Sequence, residues 1–118
     1  MGTSRSVDLL VDAFERVAQA VPGLLADLNT AQLAWYPGPF ANSMGWLVWH
    51  MARVEDDHMA GIAESEQVWL TDGWVDRFAL PYESLDIGYG QTPDQAHRLE
   101  VGGDLLAGYY AAVHARTM

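Results

Sequence analysis

The side chains able to do chemistry here are four histidines, His50, His58, His97 and His114, set among sixteen acids and six arginines, with no cysteine. Without thiols there is no disulfide, thiolate metal site or cysteine nucleophile, so any metal must be held by histidine and carboxylate. Spacing then decides what can be shared. No two histidines are four apart, so the H-x-x-x-H pattern that puts two ligands on one helix face is missing. His50 lies between Trp49 and Met51, at the edge of an apolar face, where an imidazole needs a hydrogen bond or a metal as partner. Asp57 returns to the face of His50 only two turns on, roughly 10 Å along a helix axis, too far to share one ion directly. His58 stands three residues after Glu55 in an EDDH run that reads either as a ligand pair or as a solvated charged face. His114 has Tyr110 one turn before it, and His97 is expected to face solvent. The candidate metal ligands are therefore His50, His58 and His114, with a core histidine bonded to a carbonyl or tyrosine as the competing reading of His50.

Other chemistries are poorly served. Gly88, Gly90, Gly102 and Gly103 fit neither nucleotide-binding glycine pattern, and no serine sits in a nucleophile elbow. A formal charge of −10, with no lysine, argues against a nucleic-acid partner, because phosphate contacts need cations to displace counterions. No run of about 18 apolar residues is present, so no membrane span is expected. Asp8 and Asp12 interrupt the apolar stretch that a secretory leader needs, which makes the cytoplasm the default location.

The elements that must position these groups read as helices in one domain covering residues 1–118. A first helix is expected over residues 7–29, capped by Ser6, with a kink or break near Val21 imposed by Pro22 and Gly23. Its core stripe would be Leu9, Leu10, Ala13, Val17, Leu24, Leu25 and Leu28. A single turn at residues 30–33 leads into a Pro-Gly-Pro loop, where Trp35 and Tyr36 are expected to close one end of the core. The central helix, residues 42–62, starts from Asn42 or Ser43, and Met44, Leu47, Val48, Met51, Val54 and Ile62 recur at steps of three and four as its buried face. Residues 63–90 carry Trp69, Trp74, Phe78 and Tyr82 without sustained period, which predicts an ordered aromatic loop with one helical turn near Trp74. Thr92-Pro93-Asp94-Gln95 is a capping-box start for a helix reaching about Glu100, and a further helix restarts at Asp104 and carries His114. That last pattern is still strong at Met118, so the chain is expected to be incomplete at its C-terminus.

The blocks NSMGWLVWHMARVEDDHMAGI, EQVWLTDGW, RFALP, GYGQTPDQ and LLAGYYAAVHART resemble the DinB-like superfamily, and more narrowly its actinobacterial branch of mini-circle proteins. The resemblance implies an all-α fold, a four-helix bundle of which this chain carries helices one to three, with the long aromatic loop between the second and third. It implies a divalent metal, zinc or nickel, bound by one histidine of the second helix, which maps onto His50, and by a pair on a fourth helix. It further implies a low-molecular-weight thiol such as mycothiol, activated by that metal for transfer or isomerisation of a small-molecule substrate. A non-catalytic alternative is a homodimer that covers the apolar face a fourth helix would occupy. A third reading is a binding pocket lined by Trp46, Trp49 and Trp69.

Overall fold

The computed structural model describes residues 5–118. The elements are α1 (Arg5–Leu25), α2 (Thr30–Ala34), α3 (Met44–Ala63), α4 (Val68–Thr71), α5 (Trp74–Phe78), α6 (Pro93–Ala96) and α7 (Gly103–Thr117), with no strand among the described residues. The all-α bundle that the resemblance implies is therefore present. Its three long helices are α1, α3 and α7. The last packs along both of the others, while α1 and α3 make little direct contact. A groove is left between them, lined from α1 and α3.

Helix ends follow local chemistry. Ser43, rather than Asn42, caps α3: its hydroxyl accepts the Trp46 N–H at 3.1 Å. Both Asn29 with Gln32 and Thr92 with Gln95 form reciprocal capping boxes. Ser6 lies inside α1 rather than at its cap. The residues before Arg5, which the leader reading includes, lie outside the described ones. Pro22 does not break α1, because the helix needs only one more turn, closed by the Ala26 N–H on the Pro22 carbonyl. Asp27, at φ 67°, then stops it short of Asn29. The turn begun by Thr92 also ends early, at Ala96, because Leu99 and Val101 drop into the core and pull the chain off the helical path.

Two predicted faces are corrected by the packing. Of the expected face of α3, Val48 is buried and Met51 packs partly against the core, but Met44, Leu47 and Ile62 are exposed, and the core side also takes in Gly45, Trp46, Trp49, Ala52, Arg53, Asp56 and Ala60. Both sides of α3 are apolar enough to bury. The choice falls to the side on which α7 and the aromatic loop bring Tyr109, Leu106, Trp69 and Phe78. Of the expected stripe of α1, Leu25 is buried and the following Leu28 packs against the core, but Leu9, Leu10, Val17 and Leu24 are exposed, and Val21 joins Leu25 in the core contact. Trp35 and Tyr36 do not close the core. Leu33, fully buried, does so instead.

The aromatic loop is held to the bundle by a buried ionic cluster on α3. Asp56 accepts the backbone N–H groups of Val68 (3.0 Å) and Trp69 (2.9 Å) and the Tyr109 hydroxyl (2.6 Å). Arg53, 0% exposed, donates to the Asp86 and Leu85 carbonyls and to Gln67 Oε1 at 2.6 Å. Its guanidinium lies 4.8 Å from the centre of the Trp69 ring and 3.8 Å from Asp56. Every one of these charges is paired, as burial requires. One helix turn thus grips both ends of the loop, at residues 67–69 and 85–86.

Candidate functional site

His50 stands on α3 where the far end of that loop returns to the bundle. Its Nδ1 lies 2.5 Å from the Ile87 carbonyl oxygen. A carbonyl only accepts, so Nδ1 carries the proton and donates it, and in the neutral ring the lone pair is on Nε2. That Nε2 bonds to nothing among the described residues and reaches solvent. The ring is further held by stacking on Trp46, with centroids 4.6 Å apart. Trp46 Nε1 donates to Gln91 Oε1, Gln91 Nε2 donates to Asp86, and Asp86 accepts the Gly88 N–H at 2.7 Å. The turn over residues 86–91 is thereby fastened both to itself and to α3.

Gly88 makes this approach possible. Its φ is +95°, and a Cβ there would meet Trp46, His50 Nδ1 and Trp49 at 2.8, 2.9 and 3.0 Å. Only a residue without a side chain lets the backbone lie flat on the Trp46–His50 stack.

Two depressions meet at His50. One, about 320 Å³, is lined by Phe40, Asn42, Trp46, His50, residues 88–93 and Ala96. The other is the groove between α1 and α3. Beside His50 it is about 400 Å³ and lined by Phe14, Met51, Val54, Glu55, His58 and Met59. It runs on past Leu10, Ala13 and Val17.

The remaining histidines take different positions. His58 is exposed on the groove, and its Nδ1 donates to the Val54 carbonyl of its own helix at 2.7 Å. It is eight residues from His50, about 12 Å along the axis. His114 stacks parallel to Tyr110 with centroids 6.5 Å apart, and its Nδ1 is buried without a partner, as is the Tyr110 hydroxyl. Burial first, and then the charge of Glu55, push the Tyr110 hydroxyl up to about 12. Glu55 itself accepts from Thr117 Oγ1 at 2.7 Å. His97 departs from its expected solvent position: Nε2 donates to the Ala41 carbonyl at 2.7 Å, and the ring stacks on Tyr36 at 3.4 Å. It thereby fastens the loop that carries Phe40. Among the described residues no three histidine, aspartate or glutamate side chains converge as a metal-binding group. By donor chemistry, His50 fits one ligand position of a divalent metal, with its tautomer set and its free nitrogen outward.

The family model of the DinB superfamily matches residues 13–117, from the middle of α1 to the end of α7. The chain belongs to the DinB superfamily. A similar arrangement is seen in the crystal structure of the conserved protein of locus from Enterococcus faecalis. The two share 30% sequence identity and superpose with a TM-score of 0.86 over 98% of this chain and 68% of that one. No curated protein matches. In this DinB chain the pieces that shape the surroundings of His50 were not singled out by spacing: Ile87, Gly88, Gln91, Arg53 and Asp56. The Gly-Tyr-Gly run was the one local sign of a tight turn. Nothing in the EDDH run marked Asp56 as the buried acid, because burial was decided by backbone donors twelve residues away.

Proposed function

We propose that this DinB protein contributes to a divalent-metal site of the thiol-dependent transferase or isomerase type, with His50 Nε2 as a ligand. The supporting observation is the His50 pair of bonds: a backbone carbonyl fixes Nδ1–H, and Nε2 is left bare where two depressions meet. Metal-binding histidines are oriented by such an outer hydrogen bond. A zinc or nickel ion needs further ligands. His58 is on the same groove but too distant along the helix to share the ion, and His114 is turned against Tyr110 on α7. The remaining ligands are assigned to a helix from outside these residues, seated in the groove between α1 and α3. When bound, the metal supplies a Lewis-acid position that lowers the pKa of a low-molecular-weight thiol such as mycothiol and presents it as a thiolate. The chain's own part is to orient the His50 ring, through Ile87 and Trp46, and to shape the cleft beside it.

The test is metal titration of the purified protein and of His50→Ala, with zinc and with nickel, read by calorimetry and by bound metal after desalting. At least a tenfold loss of affinity is expected in the variant. Equal metal content in both proteins removes His50 from the site.

A second reading rests on the exposed Leu10 and Val17 with Phe14 and Met51 along the groove. Two copies closing their grooves on each other form a non-catalytic homodimer. Light scattering separates the two readings: a clean monomer at micromolar concentration excludes the dimer.

A further inference from the structure

The cleft on the Phe40 side of His50 is not explained by metal binding, since its walls carry no ligand except His50 itself. Its construction is unusual in one respect. Two aromatic side chains stand almost wholly in solvent at the tips of two different loops, Phe40 at 86% and Tyr89 at 89% exposure, and both line the same cleft. Neither loop is slack. The Phe40 loop is fastened next door by the His97 bond to the Ala41 carbonyl and by the stack of His97 on Tyr36. Tyr89 sits between Gly88 and Gly90, at φ +95° and +78°, in the turn that Asp86, Gln91 and Trp46 tie down. The floor is the Trp46–His50 stack. Aromatic surface is therefore offered chiefly from two fixed loops, above a floor in which Trp46 is largely buried against His50, and ring-on-ring packing is what such walls gain from.

Charge narrows the guest. No arginine lines the cleft, the chain has no lysine, and its formal charge is −10. An anionic group brought inside would lose water without gaining a cation. Beside His50, the polar side chains in the lining are uncharged: Tyr89, Gln91 and Thr92, the last two already engaged in hydrogen bonds, and Asn42, whose amide makes no hydrogen bond among the described residues because Ser43 has taken the cap. A space of about 320 Å³ lies at the small end of ligand sites, enough for one ring with a short substituent.

We propose that this cleft is a subsite for a non-anionic aromatic ring, gripped between Phe40 and Tyr89 over Trp46, with the ring's substituent directed to His50. It rests on the reading of His50 as the reacting centre only in making that ring part of a substrate; binding of the ring itself does not require the metal. The class of ligand that the metal-free cleft takes is then a neutral or cationic arylalkyl compound, and there carboxylated or phosphorylated aromatics bind more weakly.

The experiment uses chelator-treated protein, so a failed metal assignment leaves it readable. Benzyl alcohol, benzylamine and benzoate are titrated while the Trp46 indole N–H resonance is followed by NMR, in the parent protein and in Phe40→Ala and Tyr89→Ala. Both positions are exposed, so the fold is expected to be retained, and the spectra report it directly. Benzyl alcohol and benzylamine are expected to shift the resonance with millimolar affinity, benzoate at least tenfold more weakly, and each variant to weaken the first two at least fivefold. Benzoate binding as well as benzylamine overturns the proposal. So does unchanged binding in both variants, or no binding by any of the three.

Discussion

Replacing Arg53 by methionine tests the claim that one buried cluster on α3 holds the loop that in turn orients His50. Methionine fills much of the volume but donates nothing. The Leu85 and Asp86 carbonyls and Gln67 Oε1 lose their charged donor, and Trp69 loses the cation over its face. Asp56 keeps its three donors from Val68, Trp69 and Tyr109 but loses the countercharge 3.8 Å away. Breaking one side of a buried pair costs about 3–5 kcal/mol, and hydrogen bonds to charged groups contribute about 1.5–3 kcal/mol each, not additively. A loss of about 3–5 kcal/mol is expected, a large part of the ~5–15 kcal/mol that holds a domain of this kind. Urea unfolding followed by tryptophan fluorescence measures it, because Trp69 lies under the guanidinium. Arg53→Lys keeps the charge without the planar fork and is expected to recover less than half of the loss. A loss below about 1 kcal/mol for Arg53→Met refutes the reasoning, since the guanidinium's bonds to residues 67, 85 and 86 would then add little to what Asp56 already holds.

Gly88→Ala puts a methyl group under 3 Å from the Trp46 ring and from His50 Nδ1, at a φ of +95°. The strain and displacement together are expected to cost about 2–4 kcal/mol in the same urea assay and to free His50 from a single tautomer in nitrogen NMR. An alanine variant as stable as the parent contradicts the close approach. Alkaline titration addresses the buried tyrosines. Burial pushes Tyr82 and Tyr110 up to about 12 and raises Tyr109 as well, with Asp56 adding to the last. Unfolded tyrosines ionise near 10, so this contribution to stability is complete below pH ~10 and is lost as pH rises towards 12. Urea midpoints should hold from pH 8 to about 9.5 and fall beyond it, less steeply in Tyr110→Phe, whose missing hydroxyl had no partner. A midpoint flat up to pH 12 excludes the effect.

Some helix ends were legible because residues with a local reason to be there punctuate them, whereas α4, α5 and α7 start without a side-chain cap and the turn at Val68–Thr71 carried no local sign. Ser43, the Thr92–Gln95 pair and the Pro-Gly-Pro loop place ends that depend on nothing distant. The faces were less legible. In α3 the apolar stripe has the right period, yet only Val48 of it is fully buried, while Met44, Leu47 and Ile62 are left exposed. The true core side includes Arg53 and Asp56, which no hydrophobic pattern would select. Their burial depends on carbonyls and N–H groups from residues 67–69 and 85–86, and a sequence does not show which distant backbone groups will go unpaired. His50 was found by residue type and setting, but its partner, the Ile87 carbonyl, carries no side-chain signature at all.

That hidden partner is what gives His50 its direction. A histidine satisfied at both nitrogens is a core residue, and one free at both can turn. Here the loop's return takes Nδ1 and leaves Nε2 between a groove with no occupant among the described residues and a cleft with aromatic jaws. The loop is there because Arg53 and Asp56 hold it. The same turn that supplies Ile87 also supplies Gly88 and Tyr89, so the residues that orient the imidazole and those that would select its neighbour move as one piece. Loosening Arg53 should therefore weaken ring binding in the cleft and metal binding at Nε2 together. Phe40→Ala, on the opposite loop, should weaken the first and leave the second unchanged. A variant set in which ring affinity and metal affinity always fall together, Phe40→Ala included, would mean that the two depressions are one site.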